Sequence, residues 1–339
     1  MGAAMTAERR PFAASLRTRL RAAFLTAVPL SRVRALQVIV HVMVILDVLT
    51  FSRDVLAHAG NAAFYRPVAL ARLLHLPAVT PGLAAMLLAV ILLGSAVVIA
   101  GGRLDGMLKR VLRGRRDSRR ASARAVRVTG VVVAVAYWVW MLYSNSYGYV
   151  AHDHMALLVA VAVLPTVRLP LSDARAGAEA PVGPAADAAT EPESEAGGWA
   201  LRCVQIAVVS TYFFSIIPKI LYTGSLAAWG NSAILTWASI RRGSPIAHWL
   251  VENAPWVFVP AQWAGLAIEA LSPVVLFLRG KALYVSIALY LGFHLSTLLL
   301  LGIHFLPTVV CWAAFLPLER ISIPRRSSNI PRRGVRETS

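Results

Sequence analysis

Six apolar runs, each near or above the length that crosses a bilayer, recur along this chain at residues 36–51, 83–100, 126–143, 200–222, 256–278 and 282–305. A helix rises about 1.5 Å per residue, so about 20 residues match a hydrocarbon core of roughly 30 Å. A backbone in hydrocarbon must satisfy its own hydrogen bonds, which makes each such run a helix. A soluble core could not hide them all: 58% of the residues are hydrophobic and only 15% are charged. Two shorter runs, 149–164 and 306–318, need flanking residues or a thin part of the bundle to cross. The expected fold is an all-α, polytopic integral membrane helix bundle with about eight transmembrane helices.

The net charge of +18 is unevenly placed. Seven arginines, Arg9 to Arg34, precede the first run, and ten Lys/Arg lie between the second and third, from Arg103 to Arg127. Arg168 and Arg175 follow the fourth run, Arg279 and Lys281 the sixth, and six arginines the last. The alternate loops hold only Arg53, Arg66, Arg72, Arg241 and Arg242. Basic residues gather on the cytoplasmic side of membrane proteins, so eight spans with both termini cytoplasmic fit this pattern, in a multi-pass protein of the cell membrane. The basic tracts are also expected to touch anionic lipid. No aromatic-interleaved basic surface or zinc spacing accompanies them, so no nucleic-acid partner is expected. The polar, basic start of the chain does not read as a cleavable signal peptide.

Residues 1–34 read as a basic cytoplasmic lead-in with an interfacial helix, 35–318 as the transmembrane domain, and 319–339 as a basic cytoplasmic tail. Residues 172–198 are rich in Ala, Pro, Glu and Asp and lack large apolar residues, so they read as a disordered cytoplasmic linker between two four-helix halves. The halves show no internal repeat. Two outer loops are less polar than loops need be. Residues 61–76 carry Phe64, Tyr65 and Leu73, and 225–251 carry Trp229, Trp237 and Trp249. Both read as helical segments that lie in the interface or cap a cavity. Cys203 and Cys311 lie in apolar runs without metal-like spacing and read as small buried hydrophobes.

Charges within hydrocarbon cost about 2.5–3.5 kcal/mol each, so their positions are informative. Asp47 lies near the outer end of the first run, with His41 deeper. His152, Asp153 and His154 open the fourth, Lys219 lies late in the fifth, Glu269 in the sixth, and His294 and His304 in the seventh. With eight spans, most of these converge on the outer half of one bundle, as the groups of a membrane-embedded site would. Each also has a plain structural reading. Lys219 could extend its ammonium to the interface, Asp153 could cap a helix, and Glu269 could bond within the bundle. His41 and His304 could be packing residues. Lysine is rare here, at three against 31 arginines, and Pro218 directly before Lys219 removes a helix hydrogen bond and crowds the carbonyl of Phe214. Spacing specifies no third ligand for His152 and His154, so no metal is expected.

The segment Tyr212-Phe213-Phe214-Ser215-Ile216-Ile217-Pro218-Lys219-Ile220, followed by Trp229, resembles the conserved segment of the HTTM family. That is the membrane domain shared with vitamin K-dependent γ-glutamyl carboxylase. His152-Asp153-His154 before an apolar helix, Glu269-x-x-x-Pro273 and Phe293-His294 resemble three further motifs, and the resemblance covers roughly residues 35–318. It implies that Lys219 stands where the carboxylase has the base acting on reduced vitamin K. It also implies that one of His152 and His154 matches a histidine that steadies the intermediate, with His294 a further polar partner. In that chemistry the deprotonated hydroquinone adds oxygen, and the strong base so formed removes a γ-proton from glutamate ahead of carboxylation. The implied cofactor is a reduced quinone, and Asp47, Glu269 and Trp229 are candidates to bind it. The family enzyme has a lysine where this chain has Pro218, and it carries a large β-rich domain outside the membrane. This chain has only residues 319–339 after its last run, so carboxylation of a protein is not expected.

Three functions stay open on this reading. One is a quinol-dependent carboxylase- or epoxidase-like lyase, and the second a non-catalytic membrane partner or assembly protein that binds a second protein chain. In that second reading Lys219 forms a structural ion pair with Asp47 or Glu269. The third is a small transporter, disfavoured by the missing repeat.

Overall fold

The computed structural model describes residues 18, 21–22, 24–111, 117–148, 150–169 and 191–320, with only the backbone for 102–111 and 117–122. Six helices among them are long and apolar enough to cross a membrane: Leu30–Phe51, Pro81–Gly101, Ala123–Ser144, Glu195–Thr223, Pro255–Phe277 and Gly280–Leu301. His152–Thr166 and Leu306–Phe315 are shorter apolar helices. The architecture is an all-α helical bundle of the multi-pass membrane type.

A two-residue strand β1 (Val28–Pro29) leads into helix α1 (Leu30–Leu46), which widens into a π-helical turn over Asp47–Phe51. Short helices α2 (Asp54–His58) and α3 (Ala69–Leu73) follow, then the long pair α4 (Pro81–Val111) and α5 (Asp117–Ser144). A single 3-10 turn, His152–His154, opens α6 (Met155–Val163). Beyond a second short strand, β2 (Glu193–Ser194), come α7 (Glu195–Phe213) and α8 (Ile216–Thr223). Three further short helices, α9 (Leu226–Trp229), α10 (Ala233–Arg242) and α11 (Pro245–Asn253), precede α12 (Phe258–Leu271). The last elements are α13 (Gly280–Leu301) and α14 (Leu306–Cys311).

The bundle has two chemically distinct ends. At the end holding β1, β2 and residues 318–320, arginines satisfy carbonyls of neighbouring helices. Arg34 donates to Ile99 O at 2.8 Å, Arg127 to Pro165 O at 3.0 Å and Arg202 to Leu276 O at 3.1 Å. Arg32 lies 3.9 Å from Glu319. Because these guanidinium groups are met by carbonyls, α1 starts at Leu30, six residues before the apolar run at 36. The opposite end gathers Asp47, His152–His154, Lys219 and α9–α11.

The linker expectation fails at its C-terminal edge. Residues 170–190 lie outside the described residues, but 191–198 form structure. Val28–Pro29 pairs antiparallel with Glu193–Ser194. The N-terminal boundary residue of α1, Pro29, provides no side-chain cap, and the carboxylate of Glu191 accepts from Ser31 N at 2.9 Å instead. Ser194 caps α7 by accepting from Gly197 N at 3.1 Å. Gly197 and Gly198 are helix residues chosen for close approach. A Cβ on Gly197 would sit 2.9 Å from a Val33 methyl, and one on Gly198 would collide with the Thr26 carbonyl. The small residues that read as linker are the ones the joint between the halves requires. The lead-in expected over 1–34 falls mostly outside the described residues, and its last part is β1 and the start of α1.

The core centres on α1, α5, α6 and α7, with Trp140, Trp312, Tyr137, Tyr143 and Leu157 fully buried. Both low-polarity loops carry short helices: a 3-10 turn at Ala62–Phe64 and α3 in 61–76, and α9–α11 in the second.

Candidate functional site

Two polar clusters lie at the end of the bundle opposite the arginines. The first is built around Asp47. The π-helical turn sends Ser52 N back to Asp47 O at 2.9 Å and brings the Ser52 hydroxyl to 2.9 Å from the Asp47 carboxylate. Such turns re-aim side chains and recur at functional positions. Tyr137 of α5 donates to the same oxygen at 2.8 Å, and the Trp140 indole donates to Ser52 at 2.9 Å. The other Asp47 oxygen meets His154 Nε2 at 2.7 Å, and His154 Nδ1 meets Asp153 at 3.0 Å. Asp47 is wholly buried, and His154 and Asp153 are nearly so. One imidazole is thus clamped between two carboxylates contributed by α1 and the turn before α6.

The second cluster follows from the break between α7 and α8. Pro218 has no N–H to offer Phe214 O, which accepts from Ile217 N at 3.3 Å instead. Ser215 closes the turn by donating its hydroxyl to Tyr212 O at 2.6 Å. One residue past the proline, Lys219 forms an ion pair with Glu269 of α12, and its ammonium lies 5.6 Å from the centroid of the Trp229 ring. The pair is largely, though not wholly, buried. Of the two carboxylates open to Lys219 in the sequence, Glu269 takes it, and Asp47 is bonded to His154.

Beside this pair lies a small, partly open cavity of about 70 Å³. It is lined by His152, Thr211, Tyr212, Ser215, Glu269, Phe293, His294, Phe305 and Thr308. His294 of α13 hydrogen-bonds Tyr212 through Nε2, while its buried Nδ1 has no partner among the described residues. Thr308 bridges the two clusters, donating to Asp153 O at 2.5 Å while lining the cavity.

The structure therefore separates the two histidines that the sequence left together. His152 faces the cavity beside Phe305, whereas both ring nitrogens of His154 are taken in the Asp47 cluster. Glu269, His152 and His294 line one cavity, while Lys219 pairs with Glu269 and Trp229 lies against Lys219, neither of the two lining it. Asp47 and His154 form the neighbouring network. His304 packs on Phe51 with ring centroids 4.1 Å apart, and His41 bonds Gln37 O at 2.8 Å inside the core. Among the described residues no group of three His, Cys, Asp or Glu is placed to hold a metal ion.

Sequence reading missed the partners that build these clusters: Tyr137, Ser52 and Trp140 around Asp47, and Trp312 and Thr308 near the cavity. In the sequence Tyr137 and Trp140 are two of several aromatics in the third apolar run, and nothing in their spacing marks a buried carboxylate opposite. No family model, curated protein or solved structure matches this chain.

Proposed function

We propose that this chain is an HTTM-type membrane protein whose cavity admits a lipid-soluble quinol, with Lys219 and Glu269 as the proton-accepting pair. One observation carries the reading: a carboxylate and two imidazoles from separate elements line one aromatic-walled cavity, and that carboxylate holds Lys219 in an ion pair. A lysine acts as a base only in its neutral form, and that is the role the resemblance assigns to Lys219. His152 and His294 supply polar partners to the ligand, and His154 with Asp47 supports the wall behind them. The chemistry implied by the resemblance is carboxylase- or epoxidase-like, on a small substrate.

The placement in the membrane belongs to the same proposal. The two short helices complete eight crossings. In support, His152–Thr166 touches Thr308 at one end and Arg127 at the other, and Leu306–Arg320 reaches from Asp153 to Arg32. Both termini then lie on the arginine-rich side, which is cytoplasmic and faces anionic lipid in the cell membrane. The cavity opens toward the outer face.

The alternative is a non-catalytic membrane partner or assembly protein, and the Lys219–Glu269 contact itself favours it, since a paired ammonium serves equally as a structural tie. A reduced naphthoquinone supplied to the protein in liposomes separates the two. Under the catalytic reading it is converted to its epoxide, and Lys219→Ala abolishes conversion while the protein still inserts and folds. No turnover by the unaltered chain, together with co-purification of a second protein, gives the partner reading.

A further inference from the structure

The cavity is too small for the ring that the proposed function asks of it. Its volume is about 70 Å³, whereas a pocket that takes up benzene measures about 150 Å³. A ring can enter only if something beside the wall moves, and one segment there is held more loosely than the helices around it. Between Ser215 and Gly230 the chain forms α8 and α9, and no residue from Ile217 to Trp229 is buried. Leu221 and Tyr222 are 76% and 87% exposed. In a bilayer such exposure exerts no inward pull, because acyl chains are as apolar as the helix surfaces they would be exchanged for. The segment is therefore held by its packing and its polar ties alone.

Both ends of this strap are fixed. At the near end Ser215 donates to Tyr212 O at 2.6 Å, and Ile216 is buried. At the far end Gly230 is buried against Trp263, where an added Cβ would sit 2.6 Å from the indole, and Gln262 bonds the carbonyl of Trp229. Between these anchors, among the described residues, one polar contact reaches the rest of the bundle: the Lys219–Glu269 ion pair. The hydroxyls of Thr223 and Ser225 bond only within the strap, and the ring beside the Lys219 ammonium, Trp229, belongs to the strap as well. Bending at Phe214–Ser215 costs little, since Pro218 has already removed the amide that a continuous helix would use there. We propose that Ile216–Trp229 is a gate latched by Lys219–Glu269, and that its release admits a lipid-soluble ring to the cavity sideways from the bilayer. Ser215 and Glu269 both line the cavity, so the hinge and the fixed half of the latch are parts of its wall. Release widens the space and frees the Glu269 carboxylate together, so the opened site offers an unpaired acceptor to an incoming hydroxyl. This rests on the cavity being a ligand site, as proposed above, and it adds how the ring gets in and which residue lets it.

The test uses the full chain in lipid nanodiscs, with Cys203→Ala and Cys311→Ala removing the native thiols. A single cysteine is then placed in the cavity wall by Thr308→Cys, at a position 1% exposed. N-phenylmaleimide, a flat apolar ring reagent, reports entry as a covalent adduct. Labelling is expected to be slow with Lys219 in place and several-fold faster with Lys219→Met. With Lys219→Arg, which keeps a cation on Glu269, it is expected to stay slow. Leu289→Cys, exposed on α13, is expected to react at one rate in all three backgrounds. Where Thr308→Cys inserts poorly, Thr211→Cys reports from the same cavity. A cavity thiol whose rate ignores Lys219→Met overturns the proposal. So does a Lys219→Arg rate equal to that of Lys219→Met, or a Leu289→Cys rate that rises alongside, which would mean general loosening. The catalytic reading fails separately, because no quinol enters this experiment: a gate that opens as expected beside an absence of epoxide sinks the chemistry and leaves the gate.

Discussion

The two polar clusters differ in how completely their hydrogen bonds are met. Around Asp47 both of its carboxylate oxygens and both His154 ring nitrogens have partners at 2.7–3.0 Å, drawn from the end of α1, α5 and the turn before α6. Around Lys219 there is a two-residue pair, a neighbouring cavity and a buried ring nitrogen of His294 with no partner among the described residues. The packing differs in the same sense. Half of the apolar window is buried within the bundle in Leu30–Phe51 and in Ala123–Ser144, against 22% in Pro255–Phe277 and 17% in Gly280–Leu301. A saturated network inside a dense region has no vacancy for a ligand and acts as scaffold. An unsaturated one, between helices that leave most of their surface to lipid, is where a ligand can both enter and complete the bonding.

If that contrast is right, the largest stability loss belongs to the saturated cluster. Removing one partner of a buried charge pair costs about 3–5 kcal/mol, because the remaining charge is left uncompensated. Asp47→Leu is therefore expected to lower unfolding stability in detergent by about that much, exposing His154 and Tyr137 to an apolar neighbour. The double variant Lys219→Met/Glu269→Met removes both charges together, an exchange often neutral or stabilising, so a change within about 1 kcal/mol is expected. Equal losses from the two would erase the distinction. Next in size, Tyr137→Phe deletes one hydrogen bond to a carboxylate, worth about 1.5–3 kcal/mol. Thr211→Val at the cavity wall, whose hydroxyl only returns to its own helix at Ala207 O, 2.9 Å away, should cost less in the same denaturation series.

The long helices were legible because an apolar run of span length has one physical solution in lipid, and all six runs fall within or largely within the helices observed. The interruption before Lys219 was also legible, since Pro218 removes a donor wherever it sits in a helix. The partner of Lys219 was not. Asp47 and Glu269 were equivalent on paper, and nothing in the sequence placed His154 against Asp47 107 positions away. His152 and His154 differ by two residues and face different clusters, a division set by the 3-10 turn and not by composition. Trp312, which bonds the Tyr212 hydroxyl behind His294, read as one more apolar residue in a short run. The stretch before α7 was misread because small residues signal a flexible linker in solution and a close helix contact in a bundle, and only tertiary packing separates the two.

That joint gives the mildest way to sharpen the contrast. Ser194 caps α7 through the amide of Gly197, beside the β1–β2 pairing that ties the start of α1 to the second half. Replacing a serine cap with alanine costs about 1 kcal/mol and acts on the first turn alone. Ser194→Ala should therefore speed hydrogen exchange at the Gly197 amide several-fold. Exchange around Asp47 and at the Tyr212 amide should stay as it was, because both lie at the other end of helices anchored by the core. A Ser194→Ala protein whose Tyr212 exchange changed along with its cap would mean that the joint is coupled along α7 to Tyr212. The open cluster would then be held by the ends of its helices, and no longer by the dense half that the Asp47 network stabilises.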